Sequence, residues 1–258
     1  MPLECGKIAK SYHSRHRPAM PRFFVDLPLS AGLQLDLPEA VVRHVQVLRL
    51  REGDTLTLFN GSGGEYPASL QQHGKKSATA LLGEHAAISR ESSLVLTLVQ
   101  AVSSGDRMDY TLQKAVELGV TAIQPVFSER SVVRLSGDRA DKRMEHWRGV
   151  LIAACEQCGR NSVPSLLPLL PYGKWLAADK SAGLKLLLSP LGQQRLRDLP
   201  QQSQISLLAG PEGGLTQDEE AASIAAGWQP LKLGERILRT ETAAVAAVAA
   251  LQTVWGDF

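Results

Sequence analysis

Apolar residues recur along this chain with two different periods, and the change between them divides it. Residues 22–25 (RFFV) open as a strand. The run LPEAVVRHVQVLRL sets Val41, Val42, Val45 and Leu48 to one side of a helix whose first turn suits Pro38 and Glu39. A turn at Gly53-Asp54 leads into an alternating strand over 55–59. Asn60-Gly61-Ser62-Gly63-Gly64 forms a hairpin-like loop, and 66–70 and 77–82 supply further strands. This first part predicts a small β-barrel with one helix.

After 88–92 the pattern changes. Residues 94–99 (LVLTLV) are almost continuously apolar, as in a strand buried on both faces, and DRMDYTLQKAVELG follows as a helix with Met108, Leu112, Ala115 and Val116 on one stripe. Buried-strand runs return at 122–127, 184–189, 205–210 and 231–233, separated by helical segments. The alternation predicts an α/β fold with a parallel sheet between helices. The domain border is expected near residue 90, giving units 20–90 and 91–258. Residues 1–19 are basic, poor in large apolar side chains and without period. They are expected to be a disordered extension before a natural start at Met20, the alternative being a basic RNA-binding arm.

The 258 residues carry 28 Lys+Arg against 26 Asp+Glu, with 44% hydrophobic and 21% charged residues, which excludes collagen, coiled coil and wholesale disorder. The longest apolar stretch, at 243–251, is mostly alanine and far shorter than the ~20 residues of a membrane span. Cys5, Cys155 and Cys158 make no paired disulfide framework and no secretory signal is visible, so a reducing, cytoplasmic setting without membrane association is expected. Cys155 and Cys158 form a CxxC on an expected helix with no second Cys/His pair, which reads as incidental thiols rather than a metal site. His146 and Trp147 read as surface and packing.

In open α/β sheets, ligands bind beyond the carboxyl ends of the strands. Three such loops stand out here. Ser189-Pro190-Leu191-Gly192 ends one strand. GPEGGLTQDE (210–219) places glycines around Pro211 and Glu212, with Gly213 and Gly214 allowing close backbone approach, and Thr216 with Glu219 forming a capping box. It has neither P-loop nor dinucleotide spacing. Leu233-Gly234-Glu235-Arg236-Ile237-Leu238-Arg239-Thr240-Glu241-Thr242 leads into the helix AAVAAVAALQTVW, where the Thr-Glu-Thr oxygens suit capping.

Those motifs, with GDRMDYTLQKAVELGV, ERSVV and AACEQCGRNSVP, carry a resemblance that spans nearly everything from Met20 onward. The chain resembles the 16S ribosomal RNA (uracil-N3)-methyltransferase family of the SPOUT superfamily. The resemblance implies a PUA-like RNA-binding barrel, a methyltransferase domain with a deep trefoil knot holding S-adenosylmethionine, and a homodimer acting on small-subunit rRNA or the assembled 30S particle. The implied target is N3 of a uridine in helix 44. It also implies a cofactor site at Leu188, Ser189, Pro190, Gly210, Pro211, Glu212, Gly213, Gly214, Leu233, Gly234, Ile237, Leu238, Arg239 and Thr240. A Leu-Arg-Thr-Glu-Thr segment stands where ribose-methylating relatives carry Ser and Asn, which favours a base as the target.

The reaction constrains the chemistry further. Uracil N3 bears a proton at neutral pH, so the enzyme must align N3 and favour the imide anion. Arg239 is the first choice to steady charge on O2 and O4, and Glu212 or Glu241 to accept the proton, with capping or salt pairing the alternative for Glu241. Candidates for RNA grip are Arg22, Arg43, His44, Arg49, Arg51, Lys114, Arg130 and Arg134, with Phe23, Phe24 and Tyr66 as stacking partners or core. His73, Lys75 and Lys76 add charge to the barrel, and Gln157, Arg160 and Asn161 are candidates for a substrate or dimer surface. Competing readings are an enzyme of the same superfamily acting on another RNA or on ribose, and a non-catalytic ribosome assembly factor.

Overall fold

The computed structural model describes residues 20–74, 76–132 and 137–258. Lys75 and Arg134 lie outside the described residues, as does 1–19. The first sheet is built from β1 (Arg22–Phe24), β2 (Gln34–Asp36), β3 (Thr55–Phe59), β4 (Tyr66–His73) and β5 (Ala78–Leu82), in the order β1-β3-β4-β5-β2. Helix α1 (Glu39–Val47) buries Val41, Val42 and Val45 against Phe23, Leu56, Leu58, Leu70 and Leu82. β2 is a strand the period missed, because three residues with alternating exposed charge and amide carry too little apolar signal. Among the described residues the end strands β1 and β2 do not pair with each other.

The second sheet is parallel throughout, in the order β12-β10-β11-β6-β7-β8, with β9 also pairing β7. Its elements are β6 (Val95–Ala101), α2 (Asp106–Glu117), β7 (Ala122–Phe127), α3 (Asp138–Cys158), β8 (Ser165–Leu166), β9 (Leu170–Pro171), α4 (Tyr172–Ala178), β10 (Leu184–Leu188), a 3-10 turn (Leu196–Asp198), β11 (Gln204–Ala209), α5 (Gln217–Ala225), β12 (Gln229–Leu231) and α6 (Thr240–Trp255). Period-two alternation gives each strand two buried faces. Leu96, Leu98, Leu186, Ile205 and Leu207 pack with Leu112, Trp147, Leu151 and Leu251 from α2, α3 and α6, whereas Val99, Leu187 and Leu208 pack with Tyr172, Trp175 and Trp228.

The two parts meet through β1, β3 and α3. Phe59 of β3 belongs to the second core, with the Phe24 ring edge-on to it at 5.7 Å between centroids. Around that contact lies a polar cluster. Arg22 donates to Glu65 Oε2 at 2.6 Å and to Asn161 Oδ1 at 2.7 Å, Arg90 donates to Glu65 and to the Gly159 carbonyl, and the Phe24 amide donates to Glu156. Arg160, buried, bonds Glu91 and the carbonyls of Val116 and Val120. Arg22 is therefore not a free surface cation, since its side chain is 13% exposed and committed to a carboxylate. Arg160 and Asn161 likewise face the interior, not a substrate or dimer surface.

Candidate active site

Three connections meet beyond the carboxyl ends of β10, β11 and β12. The turn after β10 is tied to β12 by the Ser189 amide on the Leu231 carbonyl at 3.1 Å, and residue 194 bridges back to Leu231. After β11, Pro211 to Gly214 close a turn with Gly214 N donating to Pro211 O, and Gly214 takes φ +68°, a conformation side-chain-bearing residues rarely adopt. Thr216 then caps α5, accepting from the Glu219 amide while the Glu219 carboxylate accepts from Thr216 N. The third connection is drawn in by Thr240, whose hydroxyl donates to the Gly210 carbonyl at 2.6 Å and accepts from Gln100 of β6. Thr240 is thus the first residue of α6, not its cap, and Arg239 holds the cap position without a side-chain bond.

The space between these connections is a cleft of about 300 Å3. Leu188, Ser189, Pro190, Gly210, Pro211, Glu212, Gly213, Gly214, Leu233, Gly234, Ile237, Leu238 and Thr240 all line it, so the sequence-selected positions come together from three separate connections. Arg239 is exposed between two lining residues, and its side chain has no partner among the described residues. Glu241 does not line the cleft, and its Oε2 is buried without a hydrogen bond. The lining positions missed from sequence are Ala209, Leu215, Glu220, Leu231, Arg236 and Ala243. Helical spacing from the Thr216 cap places Glu220 one turn into α5, which was the available signal.

Glu212 has one saturated oxygen. Oε1 accepts from the Ser104 amide at 2.8 Å, the Ser104 hydroxyl at 2.7 Å and Arg107 at 3.1 Å, while Oε2 is buried with no partner. Burial pushes this carboxyl up, but the bonds from Ser104 and Arg107 outweigh it and hold the group below the ordinary glutamate range. Glu220 goes the other way, raised by burial that its 3.5 Å contact with Ser189 only partly opposes.

Of the other cations, Arg130 is spent on the glycine turn, donating to the carbonyls of Gly213 and Leu215, and Lys114 pairs with Glu117. Arg43 pairs with Glu39 on an exposed face, His44 lies against Phe23, and Arg49 and Arg51 are exposed at the end of α1. Phe23 is buried and Phe24 is packed on Phe59, so both are core, while Tyr66 is half-buried beside His85. Cys155 is buried with its thiol pushed up to about 12 by desolvation, and among the described residues no group of side chains is placed to hold a metal ion. No helix among them is long and apolar enough to cross a membrane.

A parallel sheet whose carboxyl-end loops enclose one cleft, joined to a small separate sheet, is the build of an α/β ligand-binding protein with an accessory module. Residues 90–252 match a family model described as an RNA methyltransferase domain and 37–83 one described as an RNA methyltransferase PUA domain. Ribosomal RNA small subunit methyltransferase E of Buchnera aphidicola (strain Sg) is 32% identical over 92% of this chain and 98% of its own length, and that of Bacillus subtilis 30% identical over 90% and 96%. A crystal structure of the Neisseria gonorrhoeae ribosomal RNA small subunit methyltransferase E bound to S-adenosyl methionine is 49% identical, with TM-score 0.87, over 93% of this chain and 99% of that one. The chain belongs to the ribosomal RNA small subunit methyltransferase E family.

Proposed function

We propose that the cleft binds S-adenosylmethionine and that the protein methylates N3 of a uridine in helix 44 of 16S rRNA. The observation that carries this reading is the convergence of three carboxyl-end connections on one cleft of about 300 Å3, small enough to grip a nucleoside. The donor set fits the cofactor. Leu188, Leu233 and Leu238 offer apolar faces to adenine, the turns around Gly210 and Gly234 offer backbone groups, and the orphaned Glu212 Oε2 offers an acceptor to a cationic ligand. S-adenosylmethionine held there supplies a methyl group already activated by positive charge.

The chain's own task is then to make N3 nucleophilic. In this reading Arg239, exposed beside the cleft-lining Leu238 and Thr240 and without a competing carboxylate among the described residues, stabilises negative charge on O2 and O4 of the uracil. Glu212 is a poor proton acceptor, because Ser104 and Arg107 already stabilise its ionised form, and Glu241, the other carboxylate named from the sequence, does not line the cleft. RNA would be gripped by Arg43, His44, Arg49 and Arg51 on the PUA-type domain, a barrel-like platform, with the target base leaving its stack.

We also read residues 20–90 and 91–258 as the two functional units. A trefoil thread is the reading the family resemblance implies; the Lys232 amide bonding Gln194 O and the contacts of α6 with β11 and the 3-10 turn bring the 189–203 connection beside the last segment, as that reading needs. A homodimer is supported by Leu191 and Ile237, which are 81% and 86% exposed beside the cleft. The assembled 30S particle as substrate and a cytoplasmic setting follow from the ribosomal target. Calorimetry with S-adenosylmethionine, followed by mass mapping of small-subunit RNA after incubation, tests the reading. Binding and a new N3-methyluridine are expected; no binding, or methyl on ribose or transfer RNA, would overturn it.

A further inference from the structure

We propose that Glu212 selects the charged methyl donor over the uncharged product, with Ser104 and Arg107 as the positioning residues that leave one of its oxygens free for that purpose. The inference rests on the cofactor reading above and goes beyond it by assigning discrimination between the two forms of the cofactor to a named carboxylate.

The physical argument starts from an asymmetry. Ser104, on the connection after β6, and Arg107, in the first turn of α2, give three donors to Glu212 Oε1 and none to Oε2. A buried carboxylate oxygen with no partner is costly and is compensated when a cation arrives. Glu212 lines the cleft, so a cation bound in the cleft lies beside this carboxylate. The other cleft carboxylate, Glu220, accepts a single long contact from Ser189 at 3.5 Å and has no arginine or backbone amide bonded to it among the described residues.

S-adenosylmethionine and S-adenosylhomocysteine share the adenosine, ammonium and carboxylate groups. They differ by a methyl and by one positive charge, the sulfonium against a neutral thioether. When the N3–CH3 bond forms and the S–CH3 bond breaks, the bonding pair stays on sulfur and its charge disappears. The attraction to Glu212 goes with it, which weakens retention of the product and favours exchange for fresh donor.

The test uses the full chain and three ligands in calorimetry: S-adenosylmethionine, S-adenosylhomocysteine, and sinefungin, in which a protonated amine replaces the methylated sulfonium. Wild type should favour the two cationic ligands by about tenfold. Glu212→Gln should bind S-adenosylhomocysteine within about twofold of wild type and lose most of that preference, and Ser104→Ala, which keeps the carboxylate, should fall between the two. Equal weakening of all three ligands in Glu212→Gln would show that Glu212 serves their shared groups, and overturn the proposal. So would an unchanged preference in the variant, or no preference in wild type, which needs no variant to fold. If wild type binds none of the three, it is the cofactor reading itself that fails.

Discussion

Arg239 sits at the amino end of α6, where the helix dipole is positive and a cation is disfavoured by roughly 0.3–1 kcal/mol. Nothing among the described residues compensates it. A position that costs stability and stands between two cleft-lining residues is expected when the partner is a transient anion. Arg239→Ala should therefore lower single-turnover rate by about 10²–10³-fold, as loss of an oxyanion donor does, while cofactor Kd changes little and Tm stays level or rises slightly. Equal losses in rate and affinity would make the arginine a binding group only. Gly210 makes a different point. A Cβ there would lie 3.1 Å from Leu215 N and 3.3 Å from Gly214 atoms, all backbone, so Gly210→Val must open the turn. Cofactor affinity should fall more than about tenfold in calorimetry, by the usual scale of lost contacts. At Gly213 the added atom would lie 3.2 Å from Arg130 Cβ and 3.4 Å from its Cδ, in a side chain held by its bonds to the Gly213 and Leu215 carbonyls, so substitution there should disturb the turn as well.

Among the elements, α5 was the most legible. Thr216 and Glu219 announced its start, and both halves of the capping box are present. Thr216→Ala should cost about 0.5–2 kcal/mol in denaturant unfolding and loosen the glycine turn it follows. The strand at 55–59 and that at 122–127 were readable to the residue, the first from its Thr/Leu alternation after a Gly-Asp turn and the second as a mostly apolar run buried on both faces. β12 was misplaced. The apolar signal pointed to 231–233, yet pairing with β10 occupies Gln229–Leu231 and releases Leu233 to the cleft, a choice made by register and not by hydrophobicity. The Thr-Glu-Thr run shows the same limit, since its hydroxyl caps nothing and instead bonds a carbonyl 30 residues away.

For the whole molecule, the joint between the two sheets is polar at its edge and carries a titrating group. Glu65, with a side chain 12% exposed, is pushed up by burial but brought below its ordinary range by Arg22, Asn161 and Arg90. A carboxyl lowered on folding adds stability above its unfolded pKa, and that stability is lost as pH falls through the folded value. Glu65→Gln should reduce stability by roughly 1.5–3 kcal/mol at pH 7, a Tm drop on the order of 5 °C. The gap between variant and wild type should begin to close once pH falls below about 4.3, the unfolded glutamate value, and go on closing as pH passes through the lower folded value. A gap independent of pH, in thermal unfolding followed by circular dichroism, would show that charge at Glu65 contributes nothing.

Local physics accounts for what the sequence alone determined: the parallel α/β sheet from two-sided apolar runs, the α1 and α2 stripes, and the residues of the three connections, whose glycines and prolines mark unusual backbone wherever they occur. Tertiary structure decided where charges go. Arg22, Arg160 and Asn161 look like surface polar residues in one dimension, yet folding brings Glu65 and Glu91 to them and buries them at the joint. Ser104 and Arg107 gave no sequence signal, because their importance comes from Glu212, which lies about a hundred residues away in the chain and within 3.1 Å in space. Periodicity reports which face of an element avoids water; the partner of a polar group depends on contacts between distant segments, and no local pattern encodes it.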